Sequence, residues 1–206
     1  NDGNGGANYT VTTRTADGEI TAAPLEISAG TETKTYDAST ASSVTPAVDG
    51  LQGSDTVTGL VQAFDSPNAG PRTLSVIGYT VNDGNGGANY TVTTRTADGA
   101  ITRKSITLEV AVADKTYDAT TGATITGCDV VGAIPATDVS CDTSGATAAF
   151  SDASAGTWTV TVIGLALAGT DAANYTAGDT DTTSATIARK SITLEVAVAD
   201  KTYDAT

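Results

Sequence analysis

Along this chain large apolar residues alternate with small or polar ones in short runs. In Ile106-Thr107-Leu108-Glu109-Val110-Ala111-Val112 the bulky side chains fall on one face and Thr, Glu and Ala on the other. That period of two predicts a half-buried strand. Trp158, Val160 and Val162 alternate in the same way with Thr157, Thr159 and Thr161, and Tyr90, Val92 and Thr94 with Thr91, Thr93 and Arg95. Further strands are predicted over Thr183 to Ile187 and Ile192 to Val198. Clusters of Gly, Asp, Asn and Ser at 49–55, 65–71, 82–88, 151–156 and 168–174 separate the runs as turns require. No stretch shows sustained helical periodicity.

The pattern recurs at long range. Residues 1 to 18, NDGNGGANYTVTTRTADG, return unchanged at 82 to 99, and residues 103 to 120, RKSITLEVAVADKTYDAT, return unchanged at 189 to 206. Weaker matches fill the period: Phe64 falls on Phe150, Leu74 on Val160, Val76 on Val162 and Ile77-Gly78 on Ile163-Gly164. Self-similarity at one fixed spacing is the mark of a repeat protein. The expected organisation is the end of one repeat (1–21), a full repeat (22–102), a second full repeat (103–188) and the head of another (189–206). Each full repeat has room for about six to eight short strands. The expected fold is all-β, with small antiparallel sandwich or grasp-like domains set end to end as a stiff rod. Only Ala188, Arg189, Lys190 and Ser191 lie between two predicted strands, with no Gly/Ser/Pro spacer to loosen the joint. The end segments should each supply strands that further repeats, or neighbouring copies, complete.

Composition narrows the function. Aromatic residues make up 5% of the chain, so each core must be thin and built from Val, Ile, Leu, Ala and Tyr. Twenty-four acidic residues against ten basic ones give a formal charge of -14, a field that repels nucleic acid and anionic lipid. Its plainest reading is a solubilising surface. No apolar run is long enough to span a bilayer as a helix, so no membrane insertion is expected. Histidine is absent, which excludes a Ser-His-Asp or Cys-His arrangement and a zinc site of the usual ligands. No phosphate-cradling loop of the P-loop type appears, so an enzyme is not expected. Cys128 and Cys141 are thirteen residues apart with turn formers between them; a disulfide is the favoured reading, two buried free thiols the alternative.

The Thr-Tyr-Asp tripeptide after a strand, the later segment Gly169, Asp171, Asn174, Tyr175, Thr176, and the closing Ala-Thr-Ile resemble the YDG and related MBG repeats of very large bacterial haemagglutinin-like surface adhesins. The resemblance covers essentially every repeat. One departure is that this chain reads Tyr-Asp-Ala where the family name spells Tyr-Asp-Gly. The resemblance implies a mostly-β stalk module that holds a distal binding head away from the cell, and an extracellular or cell-surface location.

Six of the seven tyrosines sit in two motifs: Tyr36, Tyr117 and Tyr203, followed by Asp37, Asp118 and Asp204; and Tyr9, Tyr90 and Tyr175, preceded by Asn8, Asn89 and Asn174. A stripe of binding rings is one reading. Rings that cap each core while their hydroxyls reach backbone groups is the favoured one. Asn-Tyr-Thr is also a formal glycosylation acceptor, and an ordinary turn sequence. Asp83 and Asn85, and Asp179 and Asp181, bring oxygen ligands together and are weak candidates for calcium; no other cofactor is expected. A Lys115–Asn174 crosslink is a further, remoter reading. The leading function is a structural spacer of an extracellular adhesin or filament, its partners being neighbouring repeats or copies of itself. The alternatives are a glycan- or protein-binding module, or a self-associating fibre subunit.

Overall fold

The computed structural model describes residues 2–205, and among them the chain is all-β apart from one 3-10 turn at Ala172–Asn174. Asn1 and Thr206, the outermost residues of the two end segments, lie outside the described residues. Seven strands fall in the first full repeat: β1 (Ala23–Ser28), β2 (Glu32–Thr35), β3 (Ala47–Asp49), β4 (Thr56–Phe64), β5 (Gly70–Asn82), β6 (Tyr90–Arg95) and β7 (Ala97–Thr102). Ten fill the second, several of them only two or three residues long: β8 (Lys104–Ser105), β9 (Thr107–Val112), β10 (Lys115–Thr116), β11 (Ile125–Val131), β12 (Ser140–Asp142), β13 (Thr147–Phe150), β14 (Gly156–Ile163), β15 (Ala166–Ala168), β16 (Tyr175–Thr176) and β17 (Thr180–Ala188).

In the first repeat the strands make a three-stranded sheet, β3-β1-β6, and a four-stranded sheet, β2-β7-β5-β4. The second repeats the larger sheet as β10-β17-β14-β13 and breaks the smaller one into the pairs β11-β9 and β16-β8, with β12-β15 beside them. The all-β class is as expected, and to the antiparallel pairs the structure adds parallel ones: β1 runs parallel to β6 from Ala23↔Tyr90 to Ser28↔Arg95, and β2 parallel to β7 from Glu32↔Gly99 to Thr35↔Thr102. The second repeat keeps both parallel pairs, β8 with β16 and β10 with β17. Parallel neighbours need a long crossover, and the body of each repeat supplies it. Strands close in sequence remain antiparallel, as in β13 with β14.

The end segments differ from expectation. No strand forms before Ala23 or after Ala188 among the described residues, including the run Ile192 to Val198. Ile192, Leu194, Val196 and Val198 are 80–87% exposed. A strand is held by the groups it pairs with, and no described partner lies beside these runs.

By contacts the chain divides into two units: one of Asn1–Thr31, Ala41–Ala63 and Thr73–Asp98, the other of Glu32–Thr40, Phe64–Arg72 and Gly99–Thr206. The first buries Leu25, Ile27, Leu74 and Tyr90 together with one polar side chain, Gln62. Gln62 is satisfied: its amide donates to Gly30 O (2.9 Å) and Ser42 Oγ (2.9 Å) and its oxygen accepts from Gly30 N (2.7 Å). The second unit has a core of Leu108, Val110, Phe150, Val160, Val162, Leu165, Ala185 and Ile187. It also takes in the end of the first repeat that carries Tyr36, Phe64 and Ile101, all buried.

Candidate functional site

The copies of Lys-Thr-Tyr-Asp-Ala in the two full repeats fold alike. After β2 and β10 the chain turns through Ala38 and Ala119, at φ 61° and 63°. The preceding aspartate closes the turn: Asp37 Oδ1 accepts from Ser39 N (2.9 Å) and Oγ (3.0 Å), and Asp118 Oδ1 from Thr120 N (2.9 Å) and Oγ1 (2.8 Å). This is the local bonding that suits Asp to turns. The lysine reaches over it. Lys34 Nζ donates to Asp37 and Ser39 O (2.8 Å), and Lys115 Nζ to Asp118, Thr120 O (2.8 Å) and Gly122 O (2.9 Å). Each ammonium also stands over a phenyl ring, 5.2 Å from the centre of Phe64 and 5.5 Å from that of Phe150. Its hydrogen bond from Lys115, with those from Thr120, lowers the Asp118 carboxyl from 3.8 to about 2. At Asp37 burial pulls upward, and the bonds from Lys34 and Ser39 outweigh it to leave the group lowered. Lys115 and Asn174 have separate partners, so the structure does not bring that pair together.

The Asn-Tyr segments are fixed by loops of their own repeats. Tyr90 donates its hydroxyl to Asp55 Oδ2 (2.7 Å) and accepts from Gln52 N (2.8 Å). Tyr175 does the same work, accepting from Ile134 N (3.1 Å) and sharing a bond with Thr137 Oγ1 (2.8 Å). Burial, helped by the Asp55 bond, raises the Tyr90 phenol. Ahead of Tyr175, Gly169 sits at φ 105° with no room for a Cβ against Asp138 O. Asp138 then accepts from Thr170 N (2.8 Å), and Asp171 Oδ2 from Asp138 N (2.8 Å).

Within the second unit these two motifs meet. The Tyr36 and Tyr175 rings pack edge to face with centres 5.3 Å apart. Beside them Asn174 Oδ1 accepts from Ala69 N (2.8 Å) and Asn174 Nδ2 donates to Asn68 Oδ1 (3.2 Å). Arg72 braces that turn from behind, donating to Asn68 O (2.7 Å) and Ala69 O (3.1 Å). Tyr36, Asn174 and Tyr175 are 4%, 4% and 2% exposed. Burial, with the Asp171 charge adding to it, raises the Tyr36 phenol. Asn174 is thus a packed and bonded side chain, whereas Asn89 and Asn8 lie exposed.

Residues 21–97 and 102–185 each match the YDG domain. The chain belongs to the YDG domain family. No curated protein and no solved structure matches it. The Ala that stands where the family name spells Gly is the residue at positive φ in both repeats. A Cβ in the left-handed region costs about 1–2 kcal/mol, which glycine avoids.

The remaining singled-out residues of the YDG repeats bond within their own repeat. Asp83 Oδ1 accepts from Asn85 N and Gly87 N, both 2.8 Å, and its Oδ2 from Asn89 N (3.0 Å). The Gly87 bond leads in holding that carboxyl low. Asn85 bonds Asn89 side chain to side chain (2.9 Å). Asp181 Oδ2 accepts from Val110 N (2.9 Å), and Asp179 Oδ1 from Thr180 Oγ1 (3.2 Å). Among the described residues no three His, Cys, Asp or Glu gather as a metal site. Cys128 on β11 and Cys141 on β12 are disulfide-bonded, their Cα atoms 5.9 Å apart. Sequence reasoning missed Gln62, the Asn68–Ala69 turn and the braces behind it. Trp158, which aligns with Arg72, donates Nε1–H to Ser154 O (2.7 Å), which is Arg72's task at the equivalent carbonyl.

Proposed function

We propose that this chain is a non-catalytic spacer of an extracellular surface adhesin or filament, its YDG repeats set end to end and carrying tension along the polypeptide. The observation that carries the reading is the parallel pairing of strands near the entry of each repeat with strands near its exit: β2 with β7, and β10 with β17. When the ends of such a repeat are drawn apart, the paired strands are pulled along their common ladder in opposite directions. The hydrogen bonds between them are then strained together in shear, instead of parting one after another as in a hairpin opened from its end. Three of the repeated tyrosines support the same reading, since Tyr36, Tyr90 and Tyr175 are buried and the hydroxyls of Tyr90 and Tyr175 accept from backbone N–H groups. The disulfide accords with an oxidising, extracellular setting. Calcium has no assigned part in it, and the partners are neighbouring repeats.

Single-molecule force spectroscopy tests the reading. Pulled through the chain termini, the two repeats should open as separate steps, the second at a markedly higher force than when it is pulled across its β13–β14 hairpin. Equal forces in the two geometries would count against a mechanical role.

A further inference from the structure

The seam that buries Tyr36 uses three parts of the first repeat: the Tyr36 ring, the Asn68–Ala69 turn and the Arg72 brace, beside the exit segment Arg103-Lys104. The second repeat and the residues just after it carry every part again, Tyr117 for Tyr36, Ser154-Ala155 for Asn68-Ala69, Trp158 for Arg72 and Arg189-Lys190 for Arg103-Lys104. They are arranged alike, because Trp158 holds the Ser154 carbonyl as Arg72 holds that of Asn68. Tyr117, Ser154, Ala155, Arg189 and Lys190 line one shallow depression. It stands open: Tyr117 is 41% exposed against 4% for Tyr36, and Ala155 is exposed where Ala69 is half-buried.

The geometry points to this depression as a seat for the Asn-Tyr corner of another YDG repeat, presented in solution by Asn89-Tyr90 of a second copy of this chain. The proposal rests on the spacer reading and deepens it by naming what each end of a repeat binds. The contacts follow from the filled seam. The Ala155 N–H donates to the incoming Asn amide oxygen as Ala69 does to Asn174, and Ser154 Oγ accepts the amide N–H in place of Asn68 Oδ1. Tyr117 meets the incoming tyrosine at the small edge it leaves uncovered, Tyr90 being 7% exposed in its own repeat, as Tyr36 meets Tyr175. The corner offered is already shaped, with the Tyr90 hydroxyl fixed by Asp55 and Gln52 and Asn89 on the surface. Its oxygen bonds Asn85, and the second lone pair remains for Ala155. Charge agrees, since Arg189 and Lys190 flank the seat while Asp55 and Asp83 flank the corner. Between separate molecules the contact is weak, because it lacks the effective concentration that a covalent link gives the Tyr36–Tyr175 seam.

The test is sedimentation and amide NMR of the 206-residue chain, from micromolar to millimolar, in salt that screens its net charge. Association should grow with concentration, and the Tyr117, Ala155, Asn89 and Tyr90 amides should shift together. Tyr117→Ala and Asn89→Ala should each weaken association about tenfold without lowering the melting temperature, an aromatic pair or a buried amide being worth about that much. Tyr203→Ala should change nothing. A chain that stays monomeric at millimolar overturns the proposal. So does association that survives Tyr117→Ala and vanishes in Leu194→Asp, which would assign it to strand pairing through the apolar end segment. Neither result alters the force measurement on which the spacer reading stands.

Discussion

Residues 103–120 and 189–206 carry the same eighteen side chains in the same order, yet among the described residues only the first copy forms strands. Leu108 and Val110 are each 7% exposed, while Leu194 and Val196 are each 84%. The other duplicated segment shows the same contrast, with Tyr90 at 7% and Tyr9 at 71%. Some features nevertheless survive in every copy. Asp2 closes its loop on Asn4 N (3.1 Å) and Gly6 N (3.0 Å) as Asp83 closes its own, and the Gly6 bond leads in lowering its carboxyl. Lys201 pairs with Asp204 (2.8 Å), and Ala205 turns at φ 57°. The difference separates two kinds of instruction in one sequence. Bonds between a side chain and the backbone two to four residues away are complete in themselves. A strand is only an offer of donors, acceptors and an apolar face, and β9 takes its form from β11 across the ladder Thr107↔Val131 to Val112↔Ile125.

Each duplicated residue is therefore an internal control, and substitutions made in pairs sharpen the contrast. The largest effect is expected at the core: Leu108→Ala should cost about 3 kcal/mol in urea denaturation, and Leu194→Ala less than about 0.5. Equal costs would mean that the end segment is a strand in solution. Next comes Tyr90→Phe, which strands Asp55 and Gln52 N and should cost about 1–2 kcal/mol, whereas Tyr9→Phe should cost nothing measurable. Ala119→Gly should stabilise by about 0.5–1 kcal/mol, the relief of a left-handed Cβ exceeding the added chain entropy, and Ala205→Gly should leave the melting temperature unchanged. The smallest effect concerns acid. The folded Asp118 titrates near 2, below its ordinary 3.8, so its contribution is whole above pH 3.8 and disappears as pH falls toward 2. Asp118→Asn should flatten the acid limb of stability in that window, and Asp204→Asn should not, since its ion pair is exposed and holds nothing folded.

How much of this was legible beforehand follows the same division. Alternation located β6 at Tyr90–Arg95, β9 to within one residue and most of β14 and β17. The Asp-rich loops were legible as turns, because their bonds are local. Parallel pairing was not, since β1 and β6 are separated by most of a repeat and period-two alternation says nothing about direction. The seam was hidden for another reason. Asn68 and Ala69 look like any turn, and Arg72 and Trp158 share no chemistry except an N–H at a similar distance from the backbone. The two tyrosine motifs were visible as a repeated pair, but nothing in their spacing says that Tyr36 meets Tyr175.

The disulfide sets how far the second repeat can lengthen. Once opened by force, an unbridged chain pays out about 3.5 Å for every residue released. The bridge between Cys128 and Cys141 withholds a stretch with a sequence separation of 13, allowing only the 5.9 Å between the two Cα atoms. An oxidised second repeat should thus yield about 40 Å less contour than the reduced one. The first repeat, which has no cysteine, should yield its whole length whatever the redox state. Two neighbouring copies of one fold accordingly differ in reach, and the thiol chemistry of the surroundings sets how far the second can lengthen.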